Sequence, residues 1–68
     1  MGAARAWEEA ALRHDSAVAW NNLALARWQL GDRAGASAAL AQAERRVDSA
    51  EPTWAATVQA TRQTINEP

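Results

Sequence analysis

His14-Asp15 is the one place in these 68 residues where an imidazole stands beside an acid. Such a pair serves acid–base catalysis only if the two groups face each other and a nucleophile lies within reach. Adjacent residues at a helix end do not face each other productively, and no Ser or Cys nucleophile completes the pattern. The pair therefore reads as helix capping. Glu8-Glu9 could suggest paired carboxylates, but neighbours on a helix point about 100° apart, so they read as a solvated face. One His and no Cys leave no metal-ligand spacing. Gly31 and Gly35 lack the flanking pattern of a phosphate-cradling loop. Arg45-Arg46 alone is too small a basic patch for nucleic acid. The expectation is a chain that is not an enzyme and uses no metal or cofactor.

The elements that would position any site are helices. Alanine dominates the composition and is the best helix former, and β-branched residues are few and scattered. The length allows one small domain, 1–68, whose single core supplies about 3–5 kcal/mol. A net charge of -1 carries no polyelectrolyte signal, and arginine is the only source of positive charge. No apolar run approaches the ~20 residues of a membrane span. The start, MGAARAWEEA, lacks the apolar block of a signal peptide, so a soluble, cytoplasmic chain is the default expectation.

Four helices are predicted. The first, about 3–14, sets Ala3, Ala6, Trp7, Ala10 and Ala11 on one side. Asp15 and Ser16 are N-cap residues for the second, about 17–30. Its apolar residues Val18, Trp20, Leu23, Ala24, Leu25, Trp28 and Leu30 wrap more than one face, as in a helix sandwiched between neighbours. Gly31 supplies a positive φ after it, and Asp32 caps the third helix, about 33–48. There Ala36, Ala39, Leu40, Ala43 and Val47 form the buried stripe, and Gly35 is expected to let a neighbouring helix approach. A break at Asp48–Glu51 precedes a fourth helix, about 52–66, started by Pro52. Trp54, Val58, Thr61 and Ile65 give it one narrow apolar stripe.

The halves repeat. Ala3, Trp7 and Ala10 recur at one constant spacing as Ala36, Leu40 and Ala43, and Trp20 recurs as Trp54 at a spacing one position longer. The period is about 34 residues, within the range of helical-hairpin repeats. The stretch from Trp20 through Leu23 and Ala24, past the Gly31-Asp32 turn, to Ala36, Leu40 and Ala43 resembles a tetratricopeptide (TPR) repeat. Ala24 takes the usual Gly position, Arg27 stands where that family prefers Tyr, and Thr57 and Thr61 replace its Leu and Tyr in the last helix. Pro52 comes a few residues late. Arg27 invites either a local distortion or a buried ion pair, for which Glu44 is a candidate partner. The resemblance implies an all-α fold: four antiparallel helices in a right-handed α-solenoid fragment, with a complete repeat over about 17–50.

The same resemblance implies function. First helices of successive repeats line a concave groove for peptides or helices of a partner protein. Its positions fall here on Val18, Asn21, Asn22, Leu25, Trp28 and Gln29, and on Ala55, Gln59, Arg62 and Gln63 in the last helix. Trp28 suits either a ligand anchor or packing against a neighbour, whereas Trp7, Trp20 and Trp54 sit at repeat-defining core positions. A protein or peptide partner is expected, not nucleic acid or membrane. Two alternatives stay open: a structural segment whose first and last helices stack on copies of itself or on further repeats, and a docking tail of a larger protein, including an enzyme.

Overall fold

The computed structural model describes residues 3–47 and 52–67. It holds four helices, α1 (Ala3–His14), α2 (Ala17–Gln29), α3 (Arg33–Arg46) and α4 (Pro52–Asn66), and no strand among the described residues. The expected break at Asp48–Glu51 and the side chain of Ala3 lie outside them.

Short-range chemistry sets the helix ends. The Asp15 N–H donates to Ala11 O (2.8 Å), which closes α1 with Asp15 at φ 49°. That region is uncommon for a side-chain-bearing residue but suits Asp, whose short side chain can bond locally. Ser16 alone is the N-cap of α2, its hydroxyl accepting from Ala19 N at 3.2 Å. Helix α2 stops at Gln29 because Leu30 and Gly31 turn the chain, with Gly31 at φ 84°. Asp32 caps α3 by accepting from Gly35 N at 2.9 Å. Gly35 serves this cap rather than a neighbouring helix: a Cβ there would collide with the Asp32 carboxylate.

Consecutive helices run antiparallel. Arg27 near the end of α2 reaches Glu8 at the middle of α1. Asp15 ahead of α2 reaches Arg46 in the last turn of α3. Arg33 at the start of α3 bonds Glu67 O just past α4. Helix α2 packs on α1, α3 and α4, and α4 also packs on α3. The Cα atoms extend 30 × 29 Å but only 14 Å in the third direction, room for two helix layers whose axes lie about 8–10 Å apart.

The core sits along α2. Leu23, Ala24, Ala36, Leu40 and Ala43 lose all solvent contact, joined by Ala11, Ala19, Ala39, Val58 and Ile65. Alanine faces let helix backbones come close, and Leu23 and Leu40 fill the space beside them. The stripes predicted for α3 and α4 are buried, apart from the half-buried Val47 and Trp54. The stripe predicted for α1 is not: Ala11 is buried, but Ala6 is exposed and Trp7 keeps 37% of its surface open. Trp7 is therefore no core residue: α1 packs chiefly on α2, and it is its Ala11 side that is buried. Trp20 is half-buried. Its indole N–H donates to Asp15 Oδ1 at 3.0 Å, and the Arg46 guanidinium lies over its ring, 5.6 Å from the centroid.

Candidate functional site

Helix α2 has two sides left for a ligand, and they differ in chemistry. At about 100° per residue, Val18, Asn22, Leu25 and Gln29 fall within a sector of roughly 60°. The first three are half-buried and Gln29 is exposed. This sector holds two aliphatic side chains and two primary amides, with no charge. Each amide offers two donors and an acceptor, the set needed to bond a peptide backbone.

Asn21 and Trp28, expected on the same face, are turned away from it. Asn21 is 1% exposed, and among the described residues its Oδ1 has no hydrogen-bond partner. It lies inside the protein because α2 is covered on both flanks of its open sector. Trp28 is half-buried and packs against the core cluster. The aromatic side chain with an open face is Trp7, which the repeat pattern assigns to the core.

On α4, Ala55, Gln59 and Gln63 are exposed. Arg62 is not a free groove cation. Its Nε and Nη2 grip both oxygens of Glu44 (3.2 and 2.9 Å), and its Nη1 donates to Ser37 Oγ at 2.9 Å. The hydrogen bond to Glu44 raises the Arg62 pKa above its ordinary value, so it stays charged. The expected Arg27–Glu44 pair therefore does not form. Arg27 donates to Glu8 Oε2 at 2.8 Å and to Gly35 O at 3.2 Å. Glu8 is accordingly more than a solvated carboxylate.

The opposite side of α2 floors a cleft of about 290 Å³. Trp20 and Arg27 form its base, Glu8 and Leu12 its α1 wall, and Ala38, Ala39 and Gln42 its α3 wall. The cleft exists because the small Ala38 and Ala39 face α1 across a gap, and the long Arg27 side chain spans part of it. The sequence signal for it is Arg27 itself, a charge at a position where the repeat pattern puts an aromatic ring. Asp15 closes the far end of α2: the indole N–H of Trp20, and then Arg46 (2.6 Å), hold its carboxyl below the usual carboxylate range.

No group of three or more His, Asp or Glu residues is placed to hold a metal ion among the described residues. No described helix is long and apolar enough to cross a membrane. Comparison with protein families, curated proteins and solved structures finds no match to this chain.

Proposed function

We propose that the chain is a TPR-like interaction module that binds a peptide or helix of a partner protein and does no chemistry. In this reading the four helices are a fragment of a right-handed α-solenoid with α2 and α3 as its complete repeat, and α2 and α4 form the inner layer. The observation that carries it is the uncharged amide-and-aliphatic sector of α2, Val18, Asn22, Leu25 and Gln29; Gln59, exposed on α4, joins it in this reading. Leu25 supplies apolar burial, worth up to about 1.5–3 kcal/mol for a side chain fully covered by ligand. Asn22, Gln29 and Gln59 set the register of the bound backbone. Asn21, Trp28 and Arg62 act behind this face, holding α1 and α4 in place. The absence of a basic patch favours protein over nucleic acid as the partner.

The test is selection from a displayed peptide library, followed by side-chain amide shifts in NMR spectra. Bound peptide should move the Asn22, Gln29 and Gln59 amide signals, and Leu25→Arg should abolish binding while the helical circular dichroism persists. Peptides that bind Leu25→Arg unchanged would remove this face from contention.

A further inference from the structure

The recurrence between the two halves runs beyond the apolar stripe. Ala6 recurs as Ala39, and Arg13-His14-Asp15-Ser16-Ala17 recurs as Arg46-Val47-Asp48-Ser49-Ala50. Inside the molecule the later members of the apolar pairs are covered: Ala39 is 1% exposed, and Leu40 and Ala43 are fully buried. Their α1 counterparts are open. Ala6 and Trp7 are exposed and Ala10 is half-buried.

The other edge shows the reciprocal pattern. Leu23 and Ala26 of α2 are buried, and their counterparts one repeat on, Thr57 and Ala60 of α4, are exposed. Each edge thus leaves open the counterparts of residues that are buried inside the molecule, Leu23 among them in the same core cluster as Ala39, Leu40 and Ala43. The sizes compensate: Trp7 replaces Leu40 with a larger side chain, and Thr57 replaces Leu23 with a smaller one. Total volume is roughly kept, the kind of exchange that packed interfaces tolerate.

Charge points the same way. Internally, Arg46 in the last turn of α3 pairs with Asp15 and lies over Trp20. Arg13 holds the equivalent place in α1 and is exposed. Trp54 of α4 is the equivalent of Trp20 and is only half-buried. The acid equivalent to Asp15 is Asp48, outside the described residues.

We infer that the chain binds a second copy of itself head to tail, with α4 of one copy laid on α1 of the next in the manner of α2 on α3. Trp7, Ala6 and Ala10 meet Thr57 and Ala60, and Arg13 comes over Trp54. The contact is heterologous: each copy keeps one free edge of each kind, so association continues into an open series. A net charge of -1 offers little repulsion to such stacking. Threonine in place of leucine makes this contact weaker than the internal one.

Mixing two edge variants tests this. Trp7→Glu spoils the α1 edge and Thr57→Arg the α4 edge, both at exposed positions. In sedimentation from micromolar to millimolar concentration the unaltered chain grows past a dimer, and each variant alone associates about tenfold more weakly or not at all. A mixture of the two forms a 1:1 dimer and stops, because only one productive edge pair remains. Ala6→Glu replaces Trp7→Glu if circular dichroism shows that variant unfolded. A chain that stays monomeric to millimolar concentration overturns the inference. So does a Thr57→Arg variant that dimerises by itself, the result expected of a symmetric α1–α1 contact, and so does a mixture that forms no 1:1 dimer, the result expected of edges that only a different protein covers.

Discussion

The joint between α1 and α2 and the joint between α3 and α4 each carry an ion pair, Glu8–Arg27 and Glu44–Arg62, yet they differ in chemistry at one equivalent pair of positions. Ala11 of α1 and Trp28 of α2 correspond, one repeat on, to Glu44 of α3 and Arg62 of α4. At the first, Ala11 is fully buried and Trp28 packs against the core. At the second, Arg62 grips Glu44 and Ser37 with side chains that remain 25% and 42% exposed for the ion pair. The geometry of neighbouring helices therefore does not dictate how they are held. Apolar burial is nearly independent of salt, whereas a partly exposed ion pair is screened and contributes about 0–1 kcal/mol. The second joint relies more on Val58, Thr61 and Ile65, which are buried below the pair.

Both joints hang on the α2–α3 hairpin, so the largest loss should come from there. Leu40→Ala removes a fully buried side chain and should cost about 2–5 kcal/mol. Against a total of about 3–5 kcal/mol this leaves little folded protein, readable by circular dichroism at room temperature. Trp28→Ala should cost less, about 1–3 kcal/mol in urea titration, since the ring is only half-buried. Equal losses for Trp28→Ala and Arg62→Ala would break the comparison between the joints.

Asn21→Leu should move stability the other way. The orphaned Oδ1 costs about 1–3 kcal/mol, and an aliphatic side chain of similar volume removes that cost, so the midpoint in urea should hold or rise. Glu44→Gln should lower stability by at most about 1 kcal/mol, with the difference vanishing in molar salt. A salt-independent loss would mean that Glu44 acts through packing.

The smallest effect belongs to Asp15 and appears only in acid. Its folded pKa is depressed by the Trp20 indole and by Arg46. A depressed value means that the contribution is complete above the unfolded carboxylate pKa of about 3.9 and is lost as pH falls through the lower folded value. Thermal melts of Asp15→Asn should therefore show a shallower fall in midpoint below about pH 4 than those of the unaltered chain. Asn tolerates the same positive φ, so the backbone is not at issue.

Much of the fold is legible in the sequence. The four helices begin and end close to where Ser16, Gly31, Asp32 and Pro52 place them, because caps and turns depend on neighbours within about four residues. The apolar periodicity of α3 and α4 names their buried stripes for the same reason. The α1 stripe misleads. Periodicity says which residues share a face, but not whether another helix covers it fully, and Trp7 keeps 37% of its surface open. The ion pairs are illegible as well. Arg27 reads as a charge in need of a partner, but that partner is Glu8, far off in the chain and brought there by the docking of α1.

For the candidate site, residue type and spacing identify the open sector of α2. Val18, Asn22, Leu25 and Gln29 share it by helix geometry alone. Asn21 and Trp28 leave it because α2 is flanked on both sides, a property of how four helices pack rather than of any one of them. Helix positions, caps and the internal repeat thus follow from interactions within a turn or two of chain, which the order of residues specifies directly. Which faces are covered, which charges meet, and the cleft between α1 and α3 depend on contacts between distant segments, and these exist only once the helices have docked.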